Sequence, residues 1–269
     1  MKFHLPAILL AIVFFFSSYA QADIAVLVHG YQSSGHTWRH NGIVSLLGQN
    51  GWQDAGIYTP QGHIALFGHD FSAQGKFIVT AELPSQAPID IQAQLLNHYL
   101  DDISDRFPQQ KIHLIAHSSG GIVARLALVN NLQQEKHYNM AQLITIASPH
   151  LGTVIAEIAK RASATPVVVI APLLGADGLN RSKILYRQLS REKNNHFLSW
   201  LNQQAHPVMY YTSIIRGDGS LFTGDWLVPA SSQNMAMVPV IGHQARVIIT
   251  PGDHNLKYAD GFILLNLLP

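Results

Sequence analysis

The sequence of 269 residues contains no cysteine. Without cysteine the chain can form no disulfide, build no thiolate zinc site and use no cysteine nucleophile. If the protein is exported, its stability must therefore come from packing rather than from covalent cross-links.

Charged residues are also scarce. Asp, Glu, Lys and Arg make up 12% of the chain, about half of the usual share, and the formal net charge is only +1. A nucleic-acid-binding domain normally carries a clear basic surplus, so we expect no nucleic-acid partner. The hydrophobic share of 48% can fill a large core and excludes a mostly disordered chain. The length fits one large domain or two modest ones.

The apolar run at the start of the chain is too short to cross a membrane. Leu5–Phe16 spans 12 residues, follows one basic residue and precedes the small-residue site Ala20–Ala22. This pattern predicts a secretory signal peptide over residues 1–22, cleaved after Ala22 or, alternatively, two residues earlier. An uncleaved anchor and a buried first helix are the other interpretations. The mature chain is then exported, to the periplasm or out of the cell.

Strand-like and helical patterns alternate along residues 23–269. The predicted strands are Asp23–Val28, Gly56–Thr59, Ile112–Ala116, Leu143–Ala147, Val208–Ile215 and Arg246–Thr250. The predicted helices are 36–47, Pro88–Phe107, Gly120–Asn131 and Asn255–Leu268, with an irregular loop over 60–75. The second helix rests on an i+4 stripe formed by Ile91, Leu95, Tyr99, Ile103 and Phe107. The alternation predicts an α/β fold with a mainly parallel central sheet and helices on both faces.

The segment Ile115–Gly121 has the pattern of a nucleophile elbow. A strand ends in a small residue, Ala116, then Ser118 stands between two variable residues, and two glycines open a helix. Ala116 replaces the usual glycine, where the tight turn requires a small side chain. Ser118 is then exposed at the apex, and the N–H of Ser119 faces a developing anion at the helix N-terminus. The alternative is a plain strand-to-helix turn with an N-capping serine.

A second turn follows the first mature strand, at His29–Tyr31. With the elbow, it makes the chain resemble an α/β-hydrolase of the bacterial lipase and esterase branch. The resemblance implies an oxyanion hole formed by the N–H groups of Tyr31 and Ser119. It also implies that His29 supports the loop rather than acting as a base. Without the elbow, His29–Tyr31 would read as an ordinary tight turn.

A third segment, Ile144–Thr153, resembles the T-P-H-x-G-T stretch of lipases, with Ser148 in place of threonine. In that family it ends a central strand and begins a cap, so His150 is expected to be structural. We therefore predict an inserted helical cap over about 151–207. Its apolar run 167–174 suits an acyl chain or a lipid interface as well as it suits ordinary buried core.

The acid and the base of a Ser…Asp…His triad should follow later strands. Asp225 opens a stretch that resembles the D-x-x-V-P-x-x-S acid loop of this family, and Asp218 is the alternative acid. His254 lies between the last strand and the last helix, the family's position for the base, whereas His243 precedes that strand. We expect the Asp253 side chain to diverge from its neighbour and not to act as the acid.

The resemblance also indicates what is missing. Some secreted bacterial lipases have a disulfide and bind calcium through an Asp two residues after the catalytic His. Here that position is Leu256, so we expect no metal, and no cofactor is implied.

Together these patterns predict a serine hydrolase that cleaves acyl or lipid esters through Ser118, His254 and Asp225. An acyltransferase or a thioesterase with the same triad remains open, and so does a non-catalytic binding protein on a hydrolase scaffold. The expected partner is a small-molecule ester or lipid, with transient contact to a lipid interface. The oligomeric state is left open.

Overall fold

The computed structural model describes residues 23–66, 75–153, 182–191, 196–217 and 224–269. The predicted signal peptide, much of the predicted cap with its run 167–174, and the alternative acid Asp218 lie outside these residues. Within the described part of the chain, no helix has the length and the apolar character needed to cross a bilayer.

Eight strands form one sheet in the order β3-β2-β4-β1-β5-β6-β7-β8. They are β1 (Asp23–Val28), β2 (Trp52–Thr59), β3 (Gly62–Ile64), β4 (Lys76–Ala81), β5 (Lys111–His117), β6 (Met140–Ile146), β7 (Tyr210–Arg216) and β8 (Ala245–Thr250). Every pairing is parallel except the one between β2 and β3. The predicted class, a mainly parallel sheet flanked by helices, is therefore confirmed.

The helices cover both faces of this sheet. They are α1 (Thr37–His40), α2 (Ile43–Gln49), α3 (Ile89–Arg106), α4 (Ser119–Gln133), α5 (Lys183–Leu189), α6 (His196–Leu201), α7 (Ala230–Gln233) and α8 (Tyr258–Leu267). On β1, Ile24 and Val26 pack into the core under α3 and α4, while Ala25 and Leu27 pack into the core under α2 and α8. Side chains alternate along a strand, so a strand that is apolar at every position is buried on both faces.

Two strands were not predicted. β4 lies between β1 and β2, yet it follows a glycine-containing stretch that reads as loop. Its run from Lys76 to Ala81 contains the β-branched residues Ile78, Val79 and Thr80, which was the available signal. The prediction of an irregular loop over 60–75 is also wrong in part, because β3 pairs there with β2.

Two helix predictions need correction. The single helix over 36–47 is divided into α1 and α2, because Gly42 adopts a left-handed conformation with φ of 74°. On α3, the predicted stripe follows the buried face only in part: Tyr99 and Ile103 are buried, but Ile91 is 46% exposed. An i+4 step overshoots one turn by about 40°, and the stripe therefore drifts around the helix. The buried apolar face repeats at mixed spacings of three and four: Ile89, Ala93, Leu96, Leu100 and Ile103.

Candidate active site

The site lies at the carboxyl ends of the central strands. From β1 the chain continues to β2 and β4 on one side of the sheet, and from β5 it continues to β6, β7 and β8 on the other. The carboxyl ends of β1 and β5 therefore flank the point at which the strand order reverses, where open α/β sheets bind their ligands. The His29–Tyr31 turn follows β1, and Ser118 follows β5.

Backbone strain is concentrated at this edge. Among the described residues, four other than glycine have a positive φ, and three of them, Gln32, Ser118 and Ala147 with φ of 51° to 53°, lie at this edge. The fourth, Glu135, follows α4. Ser118 and Ala147 directly follow β5 and β6, and Gln32 lies in the turn after β1. A non-glycine residue in such a conformation costs about 1–3 kcal/mol and persists only where the surrounding structure enforces it. Such residues cluster at functional sites, which supports assigning function to this edge.

Ser118 stands at the apex of the sharp turn between β5 and α4. Its backbone angles are φ 52° and ψ −131°, and its N–H donates to the carbonyl of Ile146 at 2.9 Å. Two glycines let the start of α4 pack against the segments that follow β1 and β6. A Cβ on Gly120 would lie 2.3 Å from the carbonyl oxygen of His29, and one on Gly121 would lie 2.2 Å from Ser148 Oγ. No larger residue fits at either position without a shift of the neighbouring atoms.

The structure brings Ser118, His254 and Asp225 together. Ser118 Oγ is 2.7 Å from His254 Nε2, and His254 Nδ1 is 2.8 Å from Asp225 Oδ2. The Nδ1–H donates to the carboxylate, and Nε2 is left to accept the hydroxyl proton of the serine. This chain of two hydrogen bonds has the geometry of a nucleophile, a base and the group that orients the base.

Neighbouring donors hold the carboxylate of Asp225 in place. Asp225 Oδ1 accepts from the backbone N–H groups of Leu227 and Val228 at 2.8 Å and 2.6 Å. Asp225 Oδ2 also accepts from Gln233 Nε2 at 3.2 Å. The carboxylate is buried. These bonds satisfy a buried charge and leave one direction of Oδ2 for His254.

The turn after β1 places a peptide group beside Ser118. A Cβ on Gly30 would lie 2.7 Å from Ser118 Cβ, so only glycine lets the turn pass so close. His29 Nε2 accepts from the N–H of Leu83 at 3.0 Å, and its Nδ1–H donates to the carbonyl of Gly30 at 2.9 Å. Burial lowers the pKa of His29 and keeps the ring neutral. Since N–H and C=O point in opposite directions across a trans peptide, the N–H of Tyr31 points away from His29.

Ser119 is the first residue of α4 and is 2% exposed. The N–H groups in the first turn of a helix have no partner within the helix, and they carry its partial positive charge. An oxygen beside Ser118 would therefore meet a donor from this turn as well as the peptide group that follows Gly30.

The other candidate residues lie elsewhere. His243 is exposed and precedes β8, at the opposite edge of the sheet from Ser118. Asp253 is exposed, and its Oδ1 accepts from the N–H of Asn255 at 3.0 Å rather than from His254. His150 is buried beside Thr145 Oγ1 at 3.1 Å, and burial holds its pKa well below the usual value.

A cavity of about 550 Å³ opens above Ser118 and His254. Its lining includes the apolar and aromatic side chains of Tyr31, Pro149, Leu185, Tyr186, Leu189, Leu227, Val228 and Leu256. One stretch of the chain adds polar groups, from Gln32, Ser33, Thr37 and Asn41. Trp226 also lines the cavity and is 59% exposed. Among the described lining residues there is no Lys, Arg, Asp or Glu. The described residues contain no cluster of three or more His, Asp or Glu side chains that could hold a metal ion.

Two supporting residues were not predicted from the sequence. His117 donates from Nε2 to the carbonyl of His254 at 2.8 Å, and Arg216 donates from Nη2 to the carbonyl of Asn255 at 3.2 Å. Arg216 also forms a buried ion pair with Asp260 at 2.5 Å. The position of His117 next to Ser118 was the only sequence signal for its role, and nothing in the local pattern indicated Arg216.

Comparison with known proteins gives one family and a set of similar structures. The family model described as "PGAP1-like alpha/beta domain" matches residues 22–162. A lipase of Bacillus licheniformis, BlEst2 in its mature form, is 19% identical with a TM-score of 0.61, covering 92% of this chain and 90% of its own. A gene product of Listeria innocua is 14% identical with a TM-score of 0.58, covering 93% and 95%.

A further similar structure is a metagenomic carboxyl esterase, MGS0156, which is 14% identical with a TM-score of 0.51. The alignment covers 88% of this chain and 65% of the esterase. Among curated protein sequences, none matches the chain. At these identities the structural likeness establishes the fold.

Proposed function

The chain belongs to the PGAP1-like alpha/beta domain family and has the α/β-hydrolase fold, and from this premise we propose that it is a serine hydrolase of carboxylic esters. In this proposal Ser118 is the nucleophile, His254 the general base and acid, and Asp225 the group that orients His254. The observation that carries the proposal is the hydrogen-bonded chain from Ser118 through His254 to Asp225 on the wall of a cavity.

The proposed reaction transfers the acyl group to water in two steps. Ser118 Oγ attacks the ester carbonyl carbon while His254 Nε2 takes the hydroxyl proton, and the carbonyl oxygen becomes an oxyanion. The N–H groups of Tyr31 and Ser119 donate to that oxyanion. The C–O bond to the alcohol then breaks, and His254 returns the proton to the leaving alkoxide. A water molecule, deprotonated by His254, hydrolyses the acyl-enzyme and regenerates Ser118.

The role of His254 as a base requires its imidazole to be neutral, because only the neutral ring can accept the serine proton. Asp225 stabilises the imidazolium that forms during the reaction, and it also fixes the tautomer that presents a bare Nε2 to Ser118.

The cavity lining favours an uncharged acyl group as the part of the substrate that the protein recognises. Leu185, Leu189, Leu227 and Val228 provide aliphatic contact surface, and the described lining has no ionised side chain for a charged group. Two of the similar structures are a lipase and a carboxyl esterase, which supports the same substrate class. Trp226 at the cavity and the exposed Ile184 beside Leu185 support transient contact with a lipid surface.

Labelling with a fluorophosphonate tests the proposal most directly, because this probe reacts only with an activated serine. We expect covalent labelling of the wild-type protein at Ser118 and none in Ser118→Ala. Hydrolysis of p-nitrophenyl esters over a series of acyl lengths should then be lost in Ser118→Ala. An unlabelled wild-type protein, or equal turnover in the variant, contradicts the serine hydrolase. Transfer of most of the acyl group to added alcohol instead of water would identify an acyltransferase.

We also propose export with cleavage after Ala22, which would make Asp23 the first residue of the mature protein. The family match begins at residue 22, next to this site. N-terminal sequencing of protein recovered from the periplasm or the medium tests it. An intact Met1 on the exported protein would contradict cleavage.

A further inference from the structure

His117 lies between Ser118, the loop that carries His254 and the turn that follows β1. It directly precedes Ser118 in the chain, and its ring centroid is 5.3 Å from that of His254. It is buried and lines the cavity. The mechanism proposed above assigns it no role.

The side chain of His117 holds the backbone of the base. Its Nε2–H donates to the carbonyl oxygen of His254 at 2.8 Å. Burial and, after it, the nearby His254 lower the pKa of His117 to about 3. The ring therefore stays neutral under ordinary conditions, and the Nε2–H tautomer that this hydrogen bond requires is compatible with that state.

The same ring also lies against the turn that follows β1. A Cβ on Gly30 would lie 3.4 Å from His117 Nδ1 and 3.1 Å from the carbonyl oxygen of His117. Nδ1 has no hydrogen-bond partner among the described residues. Among the described residues, the His117 ring therefore makes one hydrogen bond, from Nε2 to the carbonyl oxygen of His254.

Two hydrogen bonds to the imidazole of His254 fix its ring but not its Cα. The loop that carries His254 follows β8 and has a glycine of φ 127° at Gly252. Movement of this loop would shift the ring relative to Ser118 while both side chains remained intact. A displacement of about 1 Å at a reacting group can lower a rate by about a hundredfold. The contact from His117 opposes that movement.

Arg216 provides a second hold on the same loop through the carbonyl of Asn255. Arg216 is also paired with Asp260 and is buried, so its replacement would leave a buried carboxylate without its ion-pair partner. His117 makes a single directional contact, and for this reason its replacement separates positioning from stability more cleanly.

We propose that His117 is a positioning residue, whose hydrogen bond to the His254 carbonyl holds the base in register with Ser118. This inference rests on the proposed function, since it presumes that His254 is the base. It predicts a defect in the chemical step and none in substrate binding.

Three substitutions and one control test the contact. His117→Leu removes the donor, His117→Gln places an amide N–H at a similar reach, and His117→Asn keeps an amide that is too short. The control is His113→Leu on the same face of β5. His113 is also buried and bonds to Asp23 and Gln142, away from the cavity.

The measurements are kcat and KM with a p-nitrophenyl ester, the rate of fluorophosphonate labelling, and the melting temperature. We expect kcat and the labelling rate of His117→Leu and His117→Asn to fall about 30- to 100-fold, with KM within about twofold of wild type. His117→Gln should recover most of the rate. His113→Leu should lose melting temperature and keep the kcat of wild type.

Several outcomes would overturn the proposal. They are a wild-type labelling rate in His117→Leu, a His117→Gln as slow as His117→Asn, or an equal loss of kcat in His113→Leu. If His117→Leu does not fold, the comparison of Gln with Asn at 117 decides. A wild-type protein that is neither labelled nor active refutes the serine hydrolase itself, whereas a labelled wild type with unaffected His117 variants refutes only the positioning role.

Discussion

Two buried pairs of an aspartate and a histidine lie at the two ends of the parallel strands. One is at the amino ends of the strands, called here the amino edge, and the other is at their carboxyl ends, the carboxyl edge. At the amino edge, His113 Nε2 bonds to Asp23 Oδ1 at 2.9 Å, and at the carboxyl edge, His254 Nδ1 bonds to Asp225 Oδ2 at 2.8 Å. The pairs are almost equal in length and both are buried. A carboxylate that orients an imidazole is therefore not sufficient to define a catalytic site in this protein.

The difference lies at the second nitrogen of each ring. His113 Nδ1 is 2.9 Å from the amide nitrogen of Gln142, which donates to it and cannot act as a nucleophile. His254 Nε2 instead meets the hydroxyl of Ser118 on a cavity wall. The third partner and its access to a ligand decide which pair can transfer a proton. The amino-edge pair serves packing and the carboxyl-edge pair serves the proposed reaction.

Replacing each histidine should give the largest contrast. His254→Ala removes the proposed base and should lower kcat about 10⁶-fold. His113→Ala should leave kcat unchanged and lower the free energy of unfolding by about 2–4 kcal/mol, because it leaves a cavity and unpaired buried groups. Ester hydrolysis and thermal unfolding of both variants provide the measurement. A strong loss of kcat in His113→Ala would remove the distinction between the two edges.

Replacing each aspartate should give a smaller contrast in the same direction. Asp225→Asn no longer selects the tautomer with a bare Nε2, so kcat should fall about 10⁴-fold. Asp23→Asn keeps an acceptor for His113 and should cost only about 1 kcal/mol of stability without changing kcat. The pH dependence of kcat in both variants completes the comparison. Comparable rates for the two variants would show that Asp225 does not orient the base.

How far the sequence predicted this site depends on how local each signal is. Ser118, His254 and Asp225 follow strands in recognisable loops, and the structure brings these three together. His117 stands next to Ser118, but whether its ring would face His254 depends on how β5 is oriented in the sheet. Arg216 depends on a contact with the distant Asp260, so no local pattern contains it.

The fold was predictable to a similar extent. Strong apolar runs such as β1 and β5 were recognised, and the class followed from the alternation of strands with helices. β4 was not, because a strand next to glycines and a lysine gives a weak signal until its pairing with β1 is known. The buried face of α3 also depended on the orientation of its neighbours, which a single apolar stripe does not specify.

Replacing Gly30, in the turn after β1, should lower the rate less than replacing His254 or Asp225. The amino-edge pair has no counterpart to this turn. Gly30→Ala introduces a Cβ at 2.7 Å from Ser118 Cβ and should displace the N–H of Tyr31. We expect a fall in kcat of about 10²–10³-fold, as for the loss of one oxyanion donor. Gly48→Ala in α2 is the control, since a Cβ there meets nothing within 4 Å. A wild-type rate in Gly30→Ala would argue against this donor.

The smallest effect concerns acid stability. Burial lowers the pKa of His113, and it lowers that of His206 to about 4. The unfolded chain takes up protons near pH 6.5, so it binds more protons than the fold as the pH drops below that value. Stability is therefore full above about pH 6.5 and is lost as the pH falls toward the folded pKa values, by at most about 1.4 kcal/mol per pH unit for each such histidine.

The melting temperature should accordingly decrease from pH 7 to pH 5, and His113→Gln should show a shallower decrease because one of these histidines is gone. Scanning calorimetry over this range measures both. A variant as steep as the wild type would show that His113 does not contribute to the acid sensitivity of the fold.

The reversal of strand order at β1 and β5 also bears on how the protein folds. β1 pairs with β4 and β5 rather than with β2, the next strand along the chain. Asp225 and His254 come from the last third of the chain. Such non-local pairings form slowly, because the intervening chain must close first. The helices can form before any of them. During refolding, ester hydrolysis should therefore recover later than the helical circular dichroism signal. Activity would then report the last stage of folding.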